Sequence, residues 1–249
     1  MNDLNSIQGK SALVLGGSRG IGAAIARRLA AGGASVALTY VQGADAANTV
    51  VDDITRAGGR AIAIQADSAN DDAIERAVAT TKETFGSFDI LVNNAGVLAI
   101  APIDEFTTED IDRTIAVNVR AAVIASRAAA RVMANGGRII HIGSTNAERM
   151  PFAGGAVYAM SKSALQGLAQ GTARDLGPRG ITVNVVQPGP IDTDMNPAKG
   201  PMAAGLIPML ATGRYGHADE VASFVAYLAG PEAGNITGAS LMIDGGFAA

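Results

Sequence analysis

Seven short apolar runs recur along this chain, at residues 11–15, 35–40, 60–65, 89–92, 137–143, 181–186 and 240–243. Between them apolar residues return every three or four positions. The runs are too short for helices and sit between glycine, proline or polar clusters, which predicts strands buried on both faces. The intervening periodicity predicts helices over 23–31, about 45–57, 71–85, 108–133, 156–176 and 219–228. Thr107-Thr108-Glu109-Asp110 supplies a helix start, and Gly32-Gly33 and Gly177-Pro178 supply stops. Strands alternating with helices predict one α/β domain over residues 1–249, a doubly wound, seven-stranded parallel sheet flanked by helices on both faces. No internal repeat or low-complexity linker divides it.

In such a sheet ligands bind beyond the carboxyl ends of the strands. Gly16–Gly22, Asp67, Asn93–Gly96, Ser144 and Pro188-Gly189 all fall at those ends. The first strand runs into Gly16-Gly17-Ser18-Arg19-Gly20-Ile21-Gly22, whose spacing suits a tight turn opening a helix. Backbone N–H groups there are placed to face a diphosphate. Residues 192–213 break the alternation with three prolines, three glycines and an apolar set that includes Met195, Met202, Leu206, Ile207, Met209 and Leu210. A long insertion at the ligand end of a sheet is expected to be a lid over an apolar substrate.

Composition narrows the chemistry. The 249 residues carry a net charge of −4, against a nucleic-acid-binding surface, and have no cysteine, which removes disulfides, thiolate catalysis and cysteine-based metal sites. His141 and His217 are the two imidazoles, so no metal site is expected. Met1 to Lys10 is polar without a signal-like apolar segment, and no apolar stretch approaches membrane-spanning length. A cytoplasmic protein with no membrane partner is expected.

Tyr158 and Lys162 stand four residues apart on one helix face, and Ser144 ends the fifth strand. A phenol is mostly protonated near neutrality, and an ammonium ~4.5 Å away favours the phenolate by roughly 3–4 kcal/mol, with burial opposing. Such a group can move a proton to or from a carbinol oxygen. The end of the second strand bears Tyr40, Val41 and Gln42, with no carboxylate before Asp45. A carboxylate there would hold the ribose of NAD and repel a 2′-phosphate. Its absence, together with Arg19 in the glycine turn, predicts a preference for NADP.

Taken together, Gly16-x-x-x-Gly20-x-Gly22, Asn93-Asn94-Ala95-Gly96, Asn118, Ser144, Tyr158-x-x-x-Lys162 and Pro188-Gly189 resemble the short-chain dehydrogenase/reductase family across essentially the whole chain. The resemblance implies a Rossmann-type fold and NADPH-dependent reduction of a ketone, or the reverse oxidation. Tyr158 is then the proton donor, Lys162 lowers its pKa and holds the nicotinamide ribose, Ser144 orients the carbonyl and Asn118 supports a water-linked proton path. It implies a cofactor site of Gly16, Ser18, Arg19, Gly20, Ile21, Gly22, Tyr40, Asp67, Ser68, Asn94, Ala95, Gly96, Tyr158, Lys162, Pro188, Gly189, Ile191 and Thr193. Leu15 departs from the family, which usually has Thr before the first glycine, and so loses a turn hydrogen bond. A homotetramer is expected, through the small residues of the helices bearing Asn118 and Tyr158 and through the last strand. The stretch from Gln187 to Ala198 is also similar to a bacterial member described as cyclic-di-GMP-binding, which leaves a nucleotide-signal binder as the alternative.

Overall fold

The structure is a computed structural model that describes residues 7–249; the expectation on Met1 to Lys10 lies largely outside them. Its first half contains β1 (Ser11–Leu15), α1 (Gly20–Ala31), β2 (Ser35–Tyr40), α2 (Ala44–Arg56), β3 (Arg60–Gln65), α3 (Asp71–Phe85) and β4 (Ile90–Asn93). There follow α4 (Thr108–Ile115), α5 (Ala121–Val132), β5 (Arg138–Ile142), α6 (Ala156–Leu176) and β6 (Thr182–Pro188). The last part contains β7 (Ile191–Asp192), α7 (Ala203–Leu206), β8 (Gly216–His217), α8 (Ala218–Ala229) and β9 (Ser240–Ile243).

Seven strands form one parallel sheet in the order β3-β2-β1-β4-β5-β6-β9. The order reverses between β1 and β4, and a crevice opens at that point in a doubly wound sheet. Strand side chains alternate between two buried layers. Val14, Val36, Val92, Ile140 and Val186 meet Ile25 and Leu29 of α1 and Val221 and Val225 of α8. Leu13, Leu91, Ile139 and Val183 meet Val78 of α3, Ile124 of α5 and Leu165 of α6. Each such side chain contributes about 1.5–3 kcal/mol on burial, so the two layers fix the strand order that places the site.

Two expectations are corrected, and the insertion carries structure of its own. The helix predicted over 108–133 is interrupted by a π-helical turn at Ala116–Arg120, between α4 and α5. Asn118 lies in that turn, and single π turns concentrate at functional positions. Asp192 to Gly213 contains the short α7 and is bounded by a two-residue ribbon, in which Ile191 pairs with Gly216 and Asp192 with His217. The small residues Ala121, Ala122, Ala125, Ala128 and Ala129 pack on the sheet rather than outward. Ala164, Gly167 and Gly171 of α6 do face outward.

Candidate active site

A cleft of about 600 Å³ runs along the carboxyl edge of the sheet and is lined by every residue predicted for the cofactor. At one end lies the turn from β1 into α1. Gly16 takes φ +69°, and a Cβ there would come within 2.9 Å of the Ala95 backbone. A Cβ on Gly22 would stand 2.2 Å from the Gly16 carbonyl oxygen and 2.4 Å from Asn94 Nδ2, so strand, turn and helix touch only because both are glycine. Asn94 Nδ2 donates to the carbonyls of Leu15 (3.2 Å) and Gly16 (2.8 Å), and the Gly16 N–H donates to Thr39 Oγ1 at 2.9 Å. Those bonds support the turn that Leu15 cannot.

The N-terminus of α1 has no side-chain cap and no acidic residue in its first turn, as a diphosphate-binding terminus requires. Arg19 is exposed beside it and makes no ion pair among the described residues. Tyr40, Val41 and Gln42 line the same end of the cleft, whereas Asp45 does not. Asp67 Oδ1 accepts from the Ala69 N–H at 2.9 Å, capping the turn before α3 while still facing the cleft.

The other end brings Ser144, Tyr158 and Lys162 together. Ser144, two residues beyond β5, caps a short 3₁₀ turn, with its N–H donating to Gln187 Oε1 at 2.6 Å. Tyr158 and Lys162 are on α6, and Lys162 is 4% exposed. Its Nζ donates to the Ile142 carbonyl at 2.9 Å and lies 5.8 Å from the centre of the Tyr158 ring. Burial lowers the Lys162 pKa to about 8. Burial raises that of Tyr158, and the hydrogen bond with Ser144 only partly offsets it. The ammonium does not bring the phenol toward neutrality here, as its spacing had suggested; desolvation wins.

Asn118 is buried behind this end rather than in the cleft. Its Oδ1 accepts from the Val97 N–H at 2.8 Å, and its Nδ2 donates to the Val97 carbonyl and Ser161 Oγ. The amide thus clamps the loop after β4 to α6. A Cβ on Gly96 would come within 3.2 Å of Lys162 Nζ, so that loop must be slender here.

Of the insertion's apolar set, Met195, Met202 and Leu206 line the cleft, joined by Phe152 and Phe247. Met195 is 58% and Met202 40% exposed. Ile207 and Met209 lie off the cleft wall, and Leu210 packs with Ala203, Tyr215 and Phe247 in a third small core. Met150 stacks on Gly155 instead of reaching the cleft. Arg149 Nη1 donates to the Phe247 carbonyl at 2.6 Å.

A family model described as enoyl-(acyl carrier protein) reductase matches residues 16–248. A solved short-chain dehydrogenase/reductase from Serratia marcescens BCRC 10948 superposes with a TM-score of 0.96 at 62% identity, over 98% of this chain and 99% of that one. This chain belongs to the short-chain dehydrogenase/reductase family. A family member from Burkholderia cenocepacia J2315, solved in complex with NADP, matches with a TM-score of 0.96 at 57% identity, over 98% and 99%. The cyclic-di-GMP-binding biofilm dispersal mediator protein of Escherichia coli (strain K12), a curated relative, is 52% identical over 99% of this chain and 100% of its own length.

Several residues that line or support the cleft of this short-chain dehydrogenase/reductase were missed from its sequence. Thr39 was signalled only by being a lone hydroxyl late in an apolar strand, and Gln187 by being a buried amide before Pro188-Gly189. Phe247 gave no local signal. Among the described residues no cluster of His, Asp or Glu could hold a metal ion, and no helix is long and apolar enough to cross a membrane.

Proposed function

We propose that this chain reduces a ketone with an apolar body to the alcohol, or runs the reverse oxidation, with NADPH as its cofactor. One observation carries the reading. A single cleft joins an uncapped helix N-terminus and a free arginine at one end to Ser144, Tyr158 and Lys162 at the other. Gly16 to Gly22 would hold the diphosphate, and Arg19 with Tyr40 the 2′-phosphate end. Asp67, Ser68 and Asn94 to Gly96 would take the adenosine side, and Pro188, Gly189, Ile191 and Thr193 the nicotinamide end. The nicotinamide supplies the hydride, the chemistry that no side chain here can provide.

The protein's own part is the proton. Burial keeps the Tyr158 phenol protonated, so it can give its proton to the carbonyl oxygen as negative charge builds there. The Ser144 hydroxyl donates a hydrogen bond to the same oxygen and fixes the carbonyl's direction. Lys162, charged below about pH 8, stabilises the phenolate that remains and would hold the ribose hydroxyls of the cofactor. Asn118 keeps the loop at Val97 against α6 and so sets the distance across which these groups act. The family relation and the NADP-bound neighbour support the cofactor assignment.

The test is an NADPH-oxidation screen over ketones, diketones and 3-oxoacyl thioesters. Tyr158→Phe should lower turnover by about 10²- to 10⁴-fold while NADPH binding is retained. A variant that keeps most of the activity would remove Tyr158 as the acid. Strong activity confined to charged ketones would refute the apolar chamber.

The 52% identity to the Escherichia coli relative supports a second reading, a cyclic-di-GMP-binding regulator on this fold. Titration with cyclic-di-GMP, with and without saturating NADPH, separates the two. Sub-micromolar binding without turnover of any ketone favours the regulator. A homotetramer remains our reading of the assembly, with Ala164, Gly167 and Gly171 beside the half-exposed Met160 offering a flat face of α6 to a second copy. A monomer mass by light scattering would overturn it.

A further inference from the structure

We infer that Phe247 is the fixed back wall of the substrate chamber and sets an upper limit on the size of the group carried by the ketone; this rests on the reductase reading above. The ring lines the cleft together with Phe152, Met202 and Leu206, yet is only 1% exposed. It packs with Ala203, Leu206, Leu210 and Tyr215. A side chain in that position defines the boundary of a chamber rather than a binding surface along its length.

What makes it fixed is the strap that carries it, residues 244–249. Asp244 Oδ1 accepts from the Gly246 N–H at 2.9 Å, while Oδ2 accepts from the Ala248 N–H at 2.9 Å and from Thr145 Oγ1 at 3.0 Å. Arg149 Nη1 donates to the Phe247 carbonyl, and the Arg149 guanidinium lies 5.9 Å from the centre of the ring. On the other side the Thr212 N–H donates to the Gly245 carbonyl at 3.1 Å. A Cβ on Gly246 would come within 2.7 Å of Ala211 Cβ, so the strap passes closely under the end of the insertion.

The strap therefore joins two segments that must agree on where a substrate sits. Thr145 directly follows Ser144, Arg149 comes five residues after it, and Ala211 and Thr212 end the insertion. The front of the chamber is built differently, from Met195 and Met202, which are exposed, unbranched and able to change shape. An adaptable front and a pinned back give tolerance of shape together with a cut-off in length.

The experiment compares kcat/KM for a small aliphatic ketone and for the same ketone extended by a phenyl-sized group, in wild type, Phe247→Leu and Phe247→Ala, with NADPH affinity measured in parallel. Phe247→Ala should raise the ratio of extended to small ketone by about 10-fold or more, with Phe247→Leu in between and NADPH affinity unchanged. If Phe247→Ala does not fold, Phe247→Leu against wild type decides the matter by the same ratio. An unchanged ratio in folded, NADPH-binding variants that still reduce ketones overturns the inference and leaves the reductase reading intact. A wild type that binds NADPH but reduces neither ketone overturns that reading, and the inference with it.

Discussion

Replacing Lys162 by methionine should make the cofactor-free protein more stable while abolishing its catalysis. The ammonium is buried, and its pKa falls from 10.5 to about 8. At 1.36 kcal/mol per unit, the buried charge costs the fold about 3 kcal/mol at neutral pH. The sign follows from proton counting. Below about pH 8 both folded and unfolded chains carry the proton, and the full penalty is present. Between about 8 and 10.5 only the unfolded chain keeps it, so wild-type stability rises with pH across that window. Methionine fills much of the lysine stem's volume but leaves the Ile142 carbonyl without its donor, which returns about 1 kcal/mol. The net gain is about 2 kcal/mol, or about 4–8 °C in Tm for a chain of this size. Thermal unfolding of wild type and Lys162→Met at about pH 7 and again above about pH 10.5 reads it directly. A variant less stable at neutral pH, or a difference that does not shrink with rising pH, would refute the reasoning.

The same residue predicts that reductase kcat/KM declines as pH rises through about 8, where Lys162 loses its charge, rather than near the phenol's own higher value; a pH–rate profile checks this. His141 is fully buried, and burial with the charge of Lys162 lowers its pKa from 6.5 to about 4. Between those values the unfolded chain takes up a proton that the folded one refuses, so stability falls by about 3 kcal/mol as pH drops from 6.5 to about 4. His141→Asn, whose Oδ1 can replace Nδ1 as acceptor for Asn93, should flatten that decline in urea titrations at about pH 7 and about pH 4.5. Arg19→Ala should lower kcat/KM for NADPH by about 10- to 100-fold and leave that for NADH little changed, the loss of a charge-assisted hydrogen bond to the 2′-phosphate. Equal losses with both cofactors would place the arginine elsewhere.

The seven strands were legible because strands covered on both faces read as unbroken apolar runs. The cleft was legible because its glycines and small polar residues cluster at the ends of those runs. The π turn was not, since the apolar periodicity of α4 continues into α5 without a break. Nor was the β7–β8 ribbon, whose strands have two residues each and carry no period. The alanines of α5 fit a sheet or a second helix equally well, and only the fold chooses the sheet. Spacing placed Tyr158 beside Lys162, but the depth that decides their pKa values depends on everything packed around them. Thr39, Gln187 and Phe247 join the site across 23, 43 and 98 residues of chain, to Gly16, Ser144 and Arg149. No local pattern encodes such distances.

The wide turn at Ala116–Arg120 also constrains how this segment can vary in length. The five residues of this π turn span about the same rotation as four at the 100° of an α-helix, so the bulge absorbs one extra residue; removing that residue would restore a regular helix with α5 in place, and removing a second would swing all of α5 by about 100°. Ala121, Ala125 and Ala129 would leave the sheet, and Arg127 would leave Glu75 on α3. Most single replacements on the outer side of this stretch leave that phase intact, and so does loss of the one surplus residue, while a two-codon deletion shifts every contact downstream of it. The segment therefore tolerates changes of spelling and one change in count, but not two.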